Sequence, residues 1–251
     1  MDRFVPIDGC RPADLVRFDD TPQRTAPWFA RRRGKISGSK LSQLLFCKTS
    51  EEAVAYREEI LGLRDRVPLD EEALARCRWG TENEPNAIAT VLHHLPDAWV
   101  YEVGFEVHGV QTWMGSSPDG VVRWPSRHGD ALGALEVKCC TKRGKDNKTV
   151  PYKVMPYYYL LQVFWEMRCA NVTFAVFACW GESHSTAWHV PFVPEVWLAV
   201  YELVSDFVSG DLPWKVWRRK CSGFVALARG FCASLEALHG DGGWESIKLA
   251  A

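Results

Sequence analysis

The stretch GSSPDGVVRWPSRHGDALGALEVKCC, residues 115–140, decides how this chain is read. Ser117-Pro118-Asp119-Gly120 is a tight turn, and Val121-Val122 continues from it as a strand. Ala134 to Cys139 is a second short strand. Side chains alternate along a strand, so Leu135, Val137 and Cys139 face one way and Glu136 and Lys138 the other. An acid and a lysine in that relation also suit a surface ion pair, which stabilises little. Asp119 adds what an ion pair does not explain, because it sits one hairpin upstream. If the two strands pair, Asp119 and Glu136 converge on one point. Close carboxylates raise each other's pKa unless a cation lies between them. Hard oxygen ligands of this kind suit magnesium, which keeps several waters for a substrate phosphate. An ammonium beside such a metal can orient and help deprotonate water, and can stabilise charge on a phosphoryl transition state, which gives Lys138 a role.

Upstream, residues 1–27 are rich in Pro, Asp and Arg and read as an extended arm. Trp28 to Arg33 predicts a short helix stopped by Gly34. Ser37-Gly38-Ser39 opens an apolar run, Leu41, Leu44 and Leu45, at helical spacing. A further helix is expected over Glu51 to Leu61, ending at Gly62. Another begins near Asp70, is interrupted at Gly80 and resumes to about His93. After Pro96 the texture turns to strand, over Trp99 to Val107 and Gln111 to Gly115.

Beyond the deciding stretch, a basic loop precedes a helix expected from about Tyr152 to Arg168. Asn171 to Cys179 is a nearly continuous apolar run, the mark of a central strand covered on both faces. Thr186 to Val190 reads as a strand and Glu195 to Ser209 as an amphipathic helix. Helices first, then strands, a helix and further strands imply an α/β layer sandwich with a mixed sheet.

With 251 residues, 47% of them hydrophobic, the chain can bury a continuous core. Its formal charge of −1 excludes a uniformly basic DNA-coating protein, so any nucleic-acid surface is local. Basic residues cluster at Arg31-Arg32-Arg33, from Lys138 to Lys148 and at Arg218-Arg219-Lys220, where solvated faces are the plain alternative. Nine cysteines without disulfide spacing, an N-terminus lacking a signal-peptide core and no long apolar run point to an intracellular protein with no membrane association. No C-x-x-C pair occurs, and Cys221 and Cys232 lack such a companion, so neither zinc nor an iron–sulfur cluster is expected. A serine-hydrolase elbow fails at Gly181-Glu182-Ser183-His184-Ser185, which lacks the final glycine, and no phosphate-binding G-x-x-x-x-G-K-[ST] loop is present.

An Asp in S-P-D-G followed by E-V-K after a hairpin resembles the PD-(D/E)XK nuclease superfamily. Within it, the chain is similar to the YqaJ-type viral recombinases, the group of lambda exonuclease and the viral alkaline nucleases. Four blocks carry the likeness in order. They are Arg32-Arg33-Gly34-Lys35-Ile36-Ser37-Gly38-Ser39; Trp79-Gly80 with Glu84 and Ala87; Ser117-Pro118-Asp119-Gly120 with Glu136-Val137-Lys138; and Tyr159 with Gln162.

The resemblance implies a restriction-endonuclease-like α/β fold, a mixed β-sheet core flanked by helices with an N-terminal helical region. The chain is read as an extended arm (1–27), a nuclease domain (28–210, core about 72–190) and a C-terminal extension of unknown role (211–251), the likeness covering roughly Trp28 to Trp180. Asp119 and Glu136 match the metal ligands, with the Val137 carbonyl as a third and Glu84 as a further candidate. Lys138 matches the catalytic lysine, Glu84 the helical acid and Gln162 a glutamine that supports the site. Arg32 and Ser39 match residues that hold a substrate 5′-phosphate, and Arg31, Arg33, Lys142, Arg143, Lys145 and Lys148 are candidate DNA contacts. Lys40, where an acid is frequent, and Pro85 beside Glu84 depart from the pattern.

The implied activity is 5′→3′ exonuclease digestion of linear double-stranded DNA with Mg2+, or Mn2+ in its place. The implied setting is viral or prophage recombination beside a single-strand annealing protein. The corresponding place is the cytoplasm of a phage host or the nucleus for a eukaryotic virus. An endonuclease of the same superfamily and a catalytically retired DNA-binding accessory protein are the alternatives. Glu84 also fits a capping box from Thr81, and Gln162 a plain surface glutamine. Against the first, Glu84 shares a face with Ile88, Val91 and Leu92, and an acid on a buried stripe wants a partner.

Overall fold

The computed structural model describes residues 2–143 and 148–249, without the side chains of Lys142 and Arg143; Lys145 lies outside the described residues. The chain begins with β1 (Phe4–Val5), α1 (Ala26–Arg32), β2 (Ile36–Ser37), α2 (Ser50–Leu61) and α3 (Glu71–His94). Then come β3 (Trp99–Tyr101), β4 (Glu106–Val107), β5 (Met114–Ser116), β6 (Gly120–Arg123), the single turn α4 (Pro125–His128) and β7 (Leu132–Cys139). A ribbon of β8 (Lys142–Arg143) and β9 (Lys148–Thr149) precedes α5 (Tyr159–Cys169). The rest is β10 (Phe174–Trp180), β11 (His184–Pro191), α6 (Pro194–Ser209), α7 (Trp214–Ser234), β12 (Glu236–Ala237) and β13 (Trp244–Glu245).

Eight strands form one mixed sheet in the order β1-β3-β6-β7-β10-β11-β12, with β13 also on β11. β10 runs parallel to β7 and antiparallel to β11, and every one of its residues is buried. This is the doubly covered strand that its apolar run predicts. A parallel pair needs a crossover, and α5 provides it. Alternation then divides the core in two. Val121, Ala134, Phe177 and Cys179 pack with α5, α6 and α7. Val122, Leu135, Val137 and Val176 pack with Ile88, Val91 and Leu92 of α3. The architecture is a mixed sheet flanked by helices, as expected.

Several local expectations need correction. The run after Ser37 is a 3-10 helix, Gly38–Phe46, and not an α-helix. α3 is not interrupted at Gly80: it continues through Gly80 and Pro85, capped by Asp70, whose side chain accepts the Ala73 N–H at 2.7 Å. A helical glycine costs only about 1 kcal/mol against alanine, and the buried face from Ala87 to Leu92 holds the helix against the sheet. α5 starts at Tyr159 and not at Tyr152, because Pro156 biases the preceding residue away from helix.

The N-terminal segment is mostly irregular but is packed on the body. β1 pairs with β3, Leu15 and Phe18 are buried, and the Arg3 guanidinium donates to the carbonyls of Leu92, Leu95 (2.6 Å) and Ala98 (2.9 Å). Beyond residue 211, α7 packs on α6, and β12 and β13 pair with β11. No described helix is long and apolar enough to cross a membrane.

Candidate active site

The turn before β6 places Asp119 by backbone bonding. Its N–H donates to the Leu135 carbonyl (2.9 Å), and its Oδ2 accepts the Val137 N–H (2.7 Å). Gly120 is needed at the head of β6, since a Cβ there would lie 2.6 Å from Val100 Cγ1. The turn is braced from the N-terminal segment. Gln23 Nε2 donates to the Pro118 and Val103 carbonyls (both 3.0 Å), and Trp28 Nε1 to Ser117 Oγ (2.9 Å).

On β7, Glu136 and Lys138 share the face toward α5, and Lys138 Nζ is ion-paired with Glu136 Oε1. Gln162 reaches in from α5, its Nε2 donating to Glu136 Oε1 (2.6 Å) and to Glu166 Oε1 (2.8 Å). The Lys138 ammonium also stands 5.2 Å from the centre of the Tyr159 ring. Gly38 packs on Gln162, for a Cβ there would lie 3.3 Å from the Gln162 carbonyl. Gly38 thus serves the packing of α5.

Burial, followed by the charges of Glu136 and Glu84, pushes the Asp119 carboxyl well above the usual carboxylate range. Burial and Glu136 do the same to Glu166. For Lys138, burial opposes the charged form, but the carboxylates of Glu136 and Asp119 outweigh it and hold the ammonium protonated. Glu136 Oε2 is sealed from solvent and has no hydrogen-bond partner. A divalent cation between Asp119 and Glu136 fits these observations, since it would satisfy that oxygen and relieve the repulsion. Among the described residues no three His, Cys, Asp or Glu side chains converge as a metal cage. The available donors are therefore two carboxylates and the Val137 carbonyl, a set that leaves positions for water and phosphate.

Asp119, Val137 and Lys138 open onto a cleft of 630 Å³ whose lining also includes Ser39, Glu84 and Tyr159, with Glu136 buried behind it. Glu84 lies mid-helix in α3, which rules out the capping-box reading, and it pairs with Arg24 at 2.8 Å. Arg24 itself has left-handed backbone, φ 65°, rarely taken by residues other than glycine. Gln162 is buried and not on the surface.

Arg32 Nη2 donates to Ser37 Oγ (2.7 Å) and Ser39 Oγ (3.0 Å), and its guanidinium lies 4.8 Å from the Trp28 ring. Arg31 is paired with Asp19 at 3.1 Å, while Arg33 and Lys148 are exposed. Sequence reasoning missed Arg24, Ser37 and Glu166. Ser37 stands in the same block as Arg32 and Ser39, and Glu166 is four residues from Gln162 and so on the same face of α5; Arg24 left no such signal. Two carboxylates, a lysine, and a nearby arginine with two hydroxyls form a centre able to hold a phosphodiester and activate water against it.

A model of the YqaJ-like viral recombinase domain matches residues 27–173. Among solved structures, the chain is similar to an alkaline exonuclease, LHK-Exo, from Laribacter hongkongensis. The two are 20% identical with a TM-score of 0.52, covering 82% of this chain and 97% of that one. A structure of LHK-Exo in complex with dAMP gives 20% identity and a TM-score of 0.50, over 83% and 98%. At that identity the likeness bears on the fold. Among curated proteins the sequence finds no match. The family model spans more than half of the chain and encloses Arg32, Ser39, Glu84, Asp119, Glu136, Lys138 and Gln162, and the chain belongs to the YqaJ-like viral recombinase family.

Proposed function

We propose that this protein is a divalent-metal-dependent DNA nuclease, and specifically a 5′→3′ exonuclease that digests linear duplex DNA in viral or prophage recombination. The observation that carries the reading is that Asp119 is bonded to the Val137 N–H, next to Glu136 on β7, with Lys138 paired to Glu136 and Ser39 lining the same cleft as Asp119 and Lys138. The similar fold of an alkaline exonuclease, and of the same enzyme with dAMP, supports it.

Asp119, Glu136 and the Val137 carbonyl would hold Mg2+, or Mn2+ in its place, with Glu84 across the cleft as a further candidate. When bound, the cation supplies a water of lowered pKa and neutralises charge building on the phosphate. Lys138 would orient that water and stabilise the same charge. Gln162 fixes the rotamer of Glu136 by its hydrogen bond. Arg32 and the hydroxyls of Ser37 and Ser39 form a donor cluster suited to a terminal phosphate, and an arginine fork can grip two of its oxygens. Residues 28–210 make up the nuclease domain in this reading, with duplex DNA ends as substrate and a single-strand annealing protein as partner.

The test is digestion of end-labelled linear duplex and of closed circular duplex, in magnesium and in chelator. Release of nucleotides from the linear DNA only, abolished by chelator, is the expected result. Cutting of the closed circle would establish the endonuclease alternative instead.

A further inference from the structure

A shallow groove of 360 Å³ adjoins the catalytic cleft, and the two share Tyr152 and Tyr158 as a common wall. The Tyr158 hydroxyl donates to the Tyr152 hydroxyl at 3.4 Å within this wall. Aromatic rings continue across it. Tyr159, beside Lys138, contacts Tyr158 (ring centres 4.6 Å apart), and Tyr158 contacts Tyr157 (5.6 Å) and the half-exposed Phe46 (5.6 Å). At the far end, the exposed Arg229 of α7 lies over the Tyr157 ring at 4.9 Å. The described lining of the groove contains no carboxylate. The cavities lined by Arg57, Arg3 and Arg64 all have carboxylates in their lining as well, respectively Asp206, Asp2, and Glu52, Glu59 and Asp65.

Aromatic faces with a cation and no acid match one polymer chemistry, a single strand of nucleic acid with unstacked bases and a phosphate backbone. A duplex hides its base faces within its own stack, so rings of this kind gain nothing from it. When one strand of a DNA end enters the cleft, its complement is left unpaired beside the same opening. We infer that the groove of Tyr157 and Arg229 binds that unpaired complementary strand and leads it away from the catalytic cleft. The inference rests on the nuclease reading above.

The test uses a duplex with a single-stranded 3′ extension carrying 5-bromodeoxyuridine, bound in chelator, irradiated and mapped by peptide mass spectrometry. Cross-links are expected on the segment from Tyr152 to Tyr158. In parallel, fluorescence anisotropy with a labelled oligothymidylate should show binding weakened about 5- to 50-fold by Tyr157→Ala combined with Arg229→Glu. Tyr157→Phe, which keeps the ring, should bind like wild type. Hydrolysis of bis(p-nitrophenyl) phosphate, which needs no groove, should be unchanged in all three proteins. Cross-links elsewhere, or unaltered oligothymidylate affinity in the double variant of a protein that still cleaves DNA, would overturn the groove and leave it to a protein partner. A wild-type protein that binds the oligonucleotide but cleaves no DNA in magnesium would overturn the nuclease reading instead.

Discussion

Gln162 Nε2 donates to Glu136 Oε1 at 2.6 Å and to Glu166 Oε1 at 2.8 Å, so one amide on α5 links an acid of the central sheet to a second acid buried in the helix. Glu166 is almost without solvent contact, and its Oε2 has no partner. Removing the amide would leave Glu136 free to turn and two buried carboxyls without their shared donor. Hydrogen bonds to charged groups are worth about 1.5–3 kcal/mol, so Gln162→Leu should lower turnover ~10- to 100-fold. Single-turnover cleavage of linear duplex checks this, with a thermal melt to confirm folding. Wild-type turnover in a folded variant would mean that Gln162 only fills space.

Lys138→Ala should reduce cleavage by at least ~100-fold while leaving metal affinity nearly intact, because the proposed role of the ammonium is toward water and phosphate and not the metal. Calorimetric titration of magnesium into both proteins, beside turnover, separates the two effects. A variant with normal turnover would reduce the Lys138–Glu136 contact to an ordinary ion pair.

The strand that carries Glu136 and Lys138 was legible from short-range rules. Strand alternation alone puts Glu136 with Lys138 and opposite Leu135 and Val137, and the Pro-Asp-Gly turn brings Asp119 next to them. Long-range partners were not legible. Nothing near Arg24 announces a carboxylate sixty positions away at Glu84. Trp28 reads only as the start of a short helix, while its indole holds the Asp119 turn through Ser117. The N-terminal segment looks like a free arm because its composition is polar. Its anchoring depends on a few residues, Arg3, Leu15 and Phe18, whose partners lie in other elements. Gly80 misled for the opposite reason: packing of the later turns of α3 overrides a weak local preference.

Arg32→Ala should erase a preference for 5′-phosphorylated duplex ends more than it lowers basal cleavage. A terminal phosphate carries nearly two charges and an internal diester one, so the phosphate pocket proposed at Arg32, Ser37 and Ser39 should discriminate between them. Loss of one charge-assisted contact should remove ~10- to 100-fold of the preference. Initial rates on 5′-phosphate and 5′-hydroxyl duplexes decide it, and equal wild-type rates on both ends would refute the assignment of this pocket.

Glu106 gives a prediction on stability. Burial raises its carboxyl from the ordinary value near 4.5 to about 7. The folded protein therefore keeps a proton that the unfolded chain has released, and this contribution, present at low pH, is lost as pH rises through about 7. The shift corresponds to about 3 kcal/mol at most. Glu106→Gln keeps an acceptor for the Asp19 N–H and removes the titration. Thermal melts near pH 5.5 and pH 8.5 should show the variant losing less stability than wild type over that interval. Equal losses would show that Glu106 ionises without penalty.

The central claim is that Asp119 and Glu136 together hold the metal that drives phosphodiester hydrolysis. Loss of metal stabilisation of the transition state costs several kcal/mol, hence at least ~1000-fold in rate. The most direct measurement is magnesium-dependent cleavage of linear duplex by wild type, Asp119→Asn and Glu136→Gln, with DNA affinity measured alongside. The expected result is cleavage by wild type alone, at least ~1000-fold above either variant, with all three proteins binding the duplex comparably. Robust cleavage by either variant in excess magnesium would contradict the account.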